Sequence, residues 1–131
     1  MEGPTAAGLG LMGAALAVAA ALGFVSVAAG AFAAHGMSEA RAQELLRTGS
    51  LYGFVHVLAV FACALLIQMG AERARLAAPF FLAGVVIFSG SLYALAFGAP
   101  RWTGAITPIG GLAFLAGWAL LAWAALGLSR A

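Results

Sequence analysis

Residues 30–56 read "GAFAAHGMSEARAQELLRTGSLYGFVH". An apolar run closes at His35. A segment carrying Glu39, Arg41, Glu44 and Arg47 follows, and a second apolar run opens near Leu51. The same alternation governs the whole chain. Charge-free stretches run 3–38, 48–71, 76–100 and 102–129. A helix needs about 20 residues to cross roughly 30 Å of hydrocarbon, so each stretch holds one crossing and none holds two. The expected architecture is an all-α four-helix transmembrane bundle, one integral membrane domain over 1–131. Its helices are expected at about 6–34, 51–70, 77–97 and 108–127.

Composition points the same way. Hydrophobic residues make up 65% of the 131 residues and charged residues 8%, with a mean hydropathy of +1.09. A soluble domain carries charge on roughly 25% of its residues. This chain has too few charges for a water-facing surface, so that surface must meet lipid. The net charge of +2 comes from six arginines and four glutamates, without lysine or aspartate. So few basic groups form no patch for nucleic acid. The lone Cys63 lies inside an apolar run and forms neither an internal disulfide nor a zinc site.

Local signals place the helix ends. Ser50 is a candidate N-cap for the second span. Pro79 suits the first turn of the third, which Gly98 and Pro100 stop. Thr107-Pro108 reads as a cap and first position for the fourth. The first run is longer than a bilayer requires. Ala-rich sequence before His35 raises a cleaved signal peptide as a competing reading. The acidic Glu2, the missing basic residues and the length of the run oppose it. Between the first two spans, "MSEARAQELLRTGS" reads as a short amphipathic helix on the membrane surface, with a solvated loop as the alternative. Two rows of small residues, Gly13/Ala17/Ala21 and Gly90/Ala94/Gly98, support close helix packing. Trp102 and Trp123 suit the interfaces, and Trp118 suits interior packing.

Orientation rests on arginines. The side holding both termini carries Arg73, Arg75 and Arg130, and the opposite side carries Arg41, Arg47 and Arg101. The count ties, and the juxtamembrane Arg73 and Arg75 favour cytoplasmic termini.

Polar residues gather towards the face of the first and third loops. His35 ends the first span there. Thr48, Tyr52 and His56 share one helix face at the start of the second. Ser89, Ser91 and Tyr93 lie in the matching half of the third, and Thr107 begins the fourth. Polar groups are costly in lipid, so these should face the interior. Two readings stay open: a structural hydrogen-bond network, and a ligand, cofactor or lipid-headgroup pocket formed by His35, Tyr52, His56, Ser89, Ser91, Tyr93 and Thr107. His35 and His56 at similar depth would reach one haem iron. Zinc wants three or four protein ligands, and no third is well placed. No aspartate orients a histidine, neither serine lies in a nucleophile elbow, and no phosphate loop is present. No catalytic site, resident metal or cofactor is therefore expected, with haem the alternative.

Five motifs occur in order: "GAFAAH" at 30–35, "TGSLYGFVH" at 48–56, "FSGSLY" at 88–93, "TPIGG" at 107–111 and "FLAGW" at 114–118. Together they resemble domain-of-unknown-function family 423, also called the YgdD or transmembrane-protein-256-like family, over about residues 10–128. The resemblance implies a four-helix membrane protein of the bacterial inner membrane and no established activity. It places motif positions on His35, Tyr52, His56, Ser89, Gly90, Ser91, Tyr93, Thr107, Pro108, Gly110 and Gly111. One departure is Gly53, where the family commonly has glutamine.

The leading functional expectation is a small non-enzymatic protein that binds a lipid, a small ligand or a larger membrane complex through the polar cluster. A haem- or quinone-binding redox protein using His35 and His56 is the second. A homo-oligomeric transporter or channel is the third. The bilayer is the expected partner, with a larger complex or further copies of the chain.

Overall fold

The computed structural model describes residues 5–129. Four helical segments are long and apolar enough to cross a membrane: Ala6–His35, Ala40–Gln68, Glu72–Ala96 and Arg101–Leu128. They are called here the first to fourth spans. Among the described residues there is no strand. Arg130 and Glu2, used in the orientation and leader arguments, lie outside the described residues.

The first span starts at Thr5, whose hydroxyl accepts from Gly8 N–H at 3.0 Å. It buries only Ala19, Ser26 and Ala33, spaced by sevens along one narrow stripe. That stripe lies antiparallel on the second span, with Gly23 against Val57, Ser26 against Gly53 and Gly30 against Ser50.

The separate surface helix does not exist as such. The second span is one continuous helix from Ala40 to Gln68, capped by Glu39, whose carboxylate accepts from Arg41 and Ala42 N–H. Residues 40–47 are amphipathic as expected, but their apolar face packs on protein, with Leu46 only 1% exposed. Ser50 is therefore no N-cap. It lies mid-helix, and its hydroxyl donates to Ser26 O at 2.6 Å. The weak helix formers Thr48, Gly49 and Ser50 would favour a break locally. Tertiary contact at Gly49 and Ser50 keeps the helix whole.

The third span changes pitch along its length. A 3₁₀ turn at Glu72–Leu76 leads into an α-helix over Ala77–Gly84, a π turn at Val85–Ser89 and a final α segment at Gly90–Ala96. Pro79 sits in the first α turn. Gly98, with φ of +96°, takes the left-handed conformation after the helix end. The fourth span opens with a 3₁₀ turn, Arg101–Ala105, before its α-helix at Thr107–Leu128. Pro108 occupies its first turn, but Thr107 does not cap it.

The third and fourth spans interlock through three reciprocal pairs. Phe81 sits on Gly117, Phe114 on Gly84, and the Phe88 backbone on Gly110. Each glycine leaves a notch that the facing phenylalanine or its backbone enters. This is how helices associate in lipid, where no hydrophobic force drives them together. The core between the second, third and fourth spans holds Val60, Cys63, Phe81, Val85, Phe114 and Leu121. The small-residue rows singled out in the sequence are not those used. Gly13, Ala17 and Ala21 face outward, as do Gly90, Ala94 and Gly98. In helices this rich in alanine and glycine, several faces qualify, and the facing partners select one.

Trp123 carries the Arg73 guanidinium 4.3 Å from its ring centroid. Arg73 also lies against Gly127, at the carbonyl end of the fourth span, where a cation is favourable. Trp102 is 67% exposed beside Arg101, as an interface anchor should be.

Candidate functional site

The expected polar cluster divides into three parts, and one residue stands apart from all of them. The first part is built around His56. Its ring is 4% exposed and stacks on Phe114 at 3.5 Å between centroids. Nδ1 lies 2.7 Å from Tyr52 O, and Trp118 Nε1 donates to Nε2 at 3.0 Å. A carbonyl only accepts and an indole N–H only donates. The ring is therefore neutral, with its proton on Nδ1, and both nitrogens are occupied. His56 is near the middle of the second span rather than at its edge. Tyr52, one turn earlier, is 43% exposed and stands at the rim of this aromatic cluster.

The second part lies between the first three spans. Ser26 Oγ donates to Leu22 O at 2.9 Å, and Ser89 Oγ to Gly49 O at 2.7 Å. The Tyr93 ring rests on Gly49, 2.5 Å from the position a Cβ would take. Its buried hydroxyl lies beside the Ser26 and Ser89 hydroxyls without making a well-formed hydrogen bond to either. Both serines already donate their only proton to a carbonyl, so Tyr93 holds the one uncommitted proton of the three. These residues border a cleft of about 170 Å³ between the first and third spans.

The third part is a single bridge. Ser91 Oγ donates to Phe88 O at 2.9 Å, so Thr107 is the donor in the 2.5 Å contact between Thr107 Oγ1 and Ser91 Oγ. Thr107 does not serve as a cap because its backbone is already helical, following Ile106 in the same conformation.

His35 joins none of these parts. It ends the first span, exposed. His56 lies at the level of Gly23, next to the Val57 contact. From residue 23 to residue 35 the helix rises roughly 18 Å. The two histidines therefore do not converge, and the pair of axial ligands that the haem alternative requires is not assembled. Among the described residues, no three His, Cys, Asp or Glu side chains gather in a metal-holding group.

The family profile described as "Protein of unknown function (DUF423)" matches residues 29–111, well over half of the chain. The chain belongs to the DUF423 family. A "UPF0382 membrane protein" of Haemophilus influenzae is 49% identical over 111 residues, covering 82% of this chain and 90% of the relative. The "UPF0382 inner membrane protein YgdD" of Escherichia coli is 43% identical over 119 residues, covering 88% and 91%. The "UPF0382 membrane protein YwdK" of Bacillus subtilis is 38% identical over 106 residues, covering 77% and 86%. No solved structure matches the chain.

In this DUF423 chain the motifs that carry the family likeness touch one another. Ser89 and Tyr93 meet Gly49, Phe88 meets Gly110, Ser91 meets Thr107, and His56 meets Trp118. Gly53 lies against the Ser26 hydroxyl in the first-to-second span interface. Sequence reasoning missed Ser26 as a participant and assigned Trp118 to packing alone. Gly49 and Gly53, one turn apart on the second span, were the available signal that another helix comes close there.

Proposed function

We propose that this chain is a non-enzymatic protein of the bacterial inner membrane that binds the polar end of a lipid or similar amphiphile. The site is the cleft between the first and third spans. The Tyr93 hydroxyl carries this reading. It is buried without a well-formed hydrogen bond, and its residue lines the cleft between the first and third spans together with Ser26 and Ser89. In hydrocarbon an O–H without an acceptor is expensive. An ester, ether or quinone oxygen entering the cleft supplies a well-placed acceptor, in competition with the lone pairs of Ser26 and Ser89, which also accept from a ligand hydroxyl. His56, Ser91 and Thr107 are hydrogen-bonded within the bundle and hold its helices in register. The name of the Escherichia coli relative supports an inner-membrane location.

The test is extraction in mild detergent followed by native mass spectrometry and lipid analysis of the parent and Tyr93→Phe. The expected result is a bound amphiphile in the parent that is lost from a folded Tyr93→Phe variant. The same species at the same occupancy in both proteins would refute the reading. A Soret band, or a quinone difference spectrum on reduction, would favour the redox alternative.

A further inference from the structure

The seam between the first and third spans continues beyond the Tyr93 cleft towards the opposite membrane face. There it opens into a larger groove of about 350 Å³, within the roughly 300–1,000 Å³ range of ligand sites. Met12, Ala15 and Leu16 form one wall, Cys63 and Ile67 the floor, and Leu82 the other wall. One charged residue borders it, Arg75, in the turn where the third span begins. The groove thus has an apolar length inside the bilayer and a cation at its interfacial mouth.

We infer that this groove binds one anionic phospholipid, with an acyl chain along its apolar walls and its phosphate on the Arg75 guanidinium. Arg75 is posed for the task. Its Nε donates to Glu72 Oε2 at 2.8 Å, which orients the plane of the group. The two terminal nitrogens reach across the mouth to the first span, 3.6 and 3.9 Å from where a Gly8 Cβ would lie. Gly8 has no side chain to obstruct them. A guanidinium fork pairs with two phosphate oxygens at once, which an ammonium does not. The neighbouring Arg73 is engaged over Trp123, so Arg75 is the cation directed at the groove. A zwitterionic lipid fits the same walls but brings a compensating ammonium to the mouth. The walls therefore set chain binding and Arg75 sets headgroup charge. This site lies at the far end of the seam from Tyr93 and does not depend on ligand binding there.

The experiment titrates the purified full-length chain in detergent with dioleoyl phosphatidylglycerol or dioleoyl phosphatidylcholine and reads first-site occupancy by native mass spectrometry. The parent is expected to prefer phosphatidylglycerol by about fivefold, the effect of one basic residue near an anionic lipid. Arg75→Gln should abolish the preference. Glu72→Gln, which frees Arg75 from its carboxylate, should increase it. Ala15→Leu narrows the groove and should weaken both lipids together. Tyr93→Phe should leave the preference unchanged, so failure of this site and failure of the Tyr93 site read out separately. Soluble glycerol phosphate should not compete, because it lacks the chain. A parent without headgroup preference, or a preference that survives Arg75→Gln, overturns the inference. If Arg75→Gln does not fold, unchanged binding in both Glu72→Gln and Ala15→Leu overturns it equally.

Discussion

Trp118 Nε1 donates a 3.0 Å hydrogen bond to His56 Nε2 across 62 residues of sequence, joining the fourth span to the second. With Nδ1 on the Tyr52 carbonyl, the bond leaves His56 no nitrogen for iron or substrate in this conformation. The histidine acts as a bridge between helices, and its tautomer follows from its two neighbours.

His56→Leu is expected to destabilise the bundle by about 1–2 kcal/mol, because the Trp118 N–H loses its acceptor in an apolar interior. His56→Gln should keep much of that stability. A double-mutant cycle with Trp118→Phe should show coupling of about 0.6–1.7 kcal/mol, the range of interhelical hydrogen bonds in membranes. Unfolding in detergent measures all of these, and zero coupling removes the bridge. Nitrogen-15 NMR of the ring should show a protonated Nδ1 and an unprotonated Nε2.

The glycine notches make a sharper test of packing. An added Cβ at Gly110 would run into the Phe88 backbone, which cannot move aside as a side-chain tip can. Gly110→Ala should cost about 1–3 kcal/mol from overpacking. Gly117→Ala meets the Phe81 ring and should also destabilise. Gly90 and Gly111 have open space around their Cβ positions. Alanine there should be neutral or stabilise the helix by about 0.5–1 kcal/mol. Thermal unfolding of the four variants would refute the register if their order were reversed.

The unbroken second span predicts how proline is tolerated. Thr48→Pro removes a helical hydrogen bond in mid-helix and should cost about 3 kcal/mol or more. A loop or a helix boundary at residues 48–50 would accept proline with little loss. Helical content and thermal stability of the variant decide between them.

Four crossings place the two chain ends on one side of the membrane. Arg73 and Arg75 in the intervening turn predict that this side is cytoplasmic. A reporter fused to the C-terminus should be active only as its cytoplasmic form. A periplasmic signal would reverse the orientation and move Arg75 to the outer leaflet.

The sequence by itself determined the number of crossings and the membrane setting. Each depends on transfer of a segment from water to hydrocarbon, a property that sums along the chain. The four charge-free stretches express that local rule, and Pro79 in an early turn and Gly98 beyond a helix end express a second one, the backbone dihedrals these residues favour. The Phe–Gly pairs, the continuity of the second span through Gly49 and Ser50, and the fate of each polar side chain were decided by tertiary structure alone. Thr107 and Ser50 are plausible caps until the helical backbone is seen to run through both, leaving their hydroxyls to Ser91 and to the Ser26 carbonyl. His35 and His56 look like a pair because both stand near apolar-run boundaries, yet the helices carry them to different depths. A hydrogen bond between spans depends on which faces meet and at what register. In helices dominated by alanine, leucine and glycine, many faces are nearly equivalent until the neighbouring helix selects one.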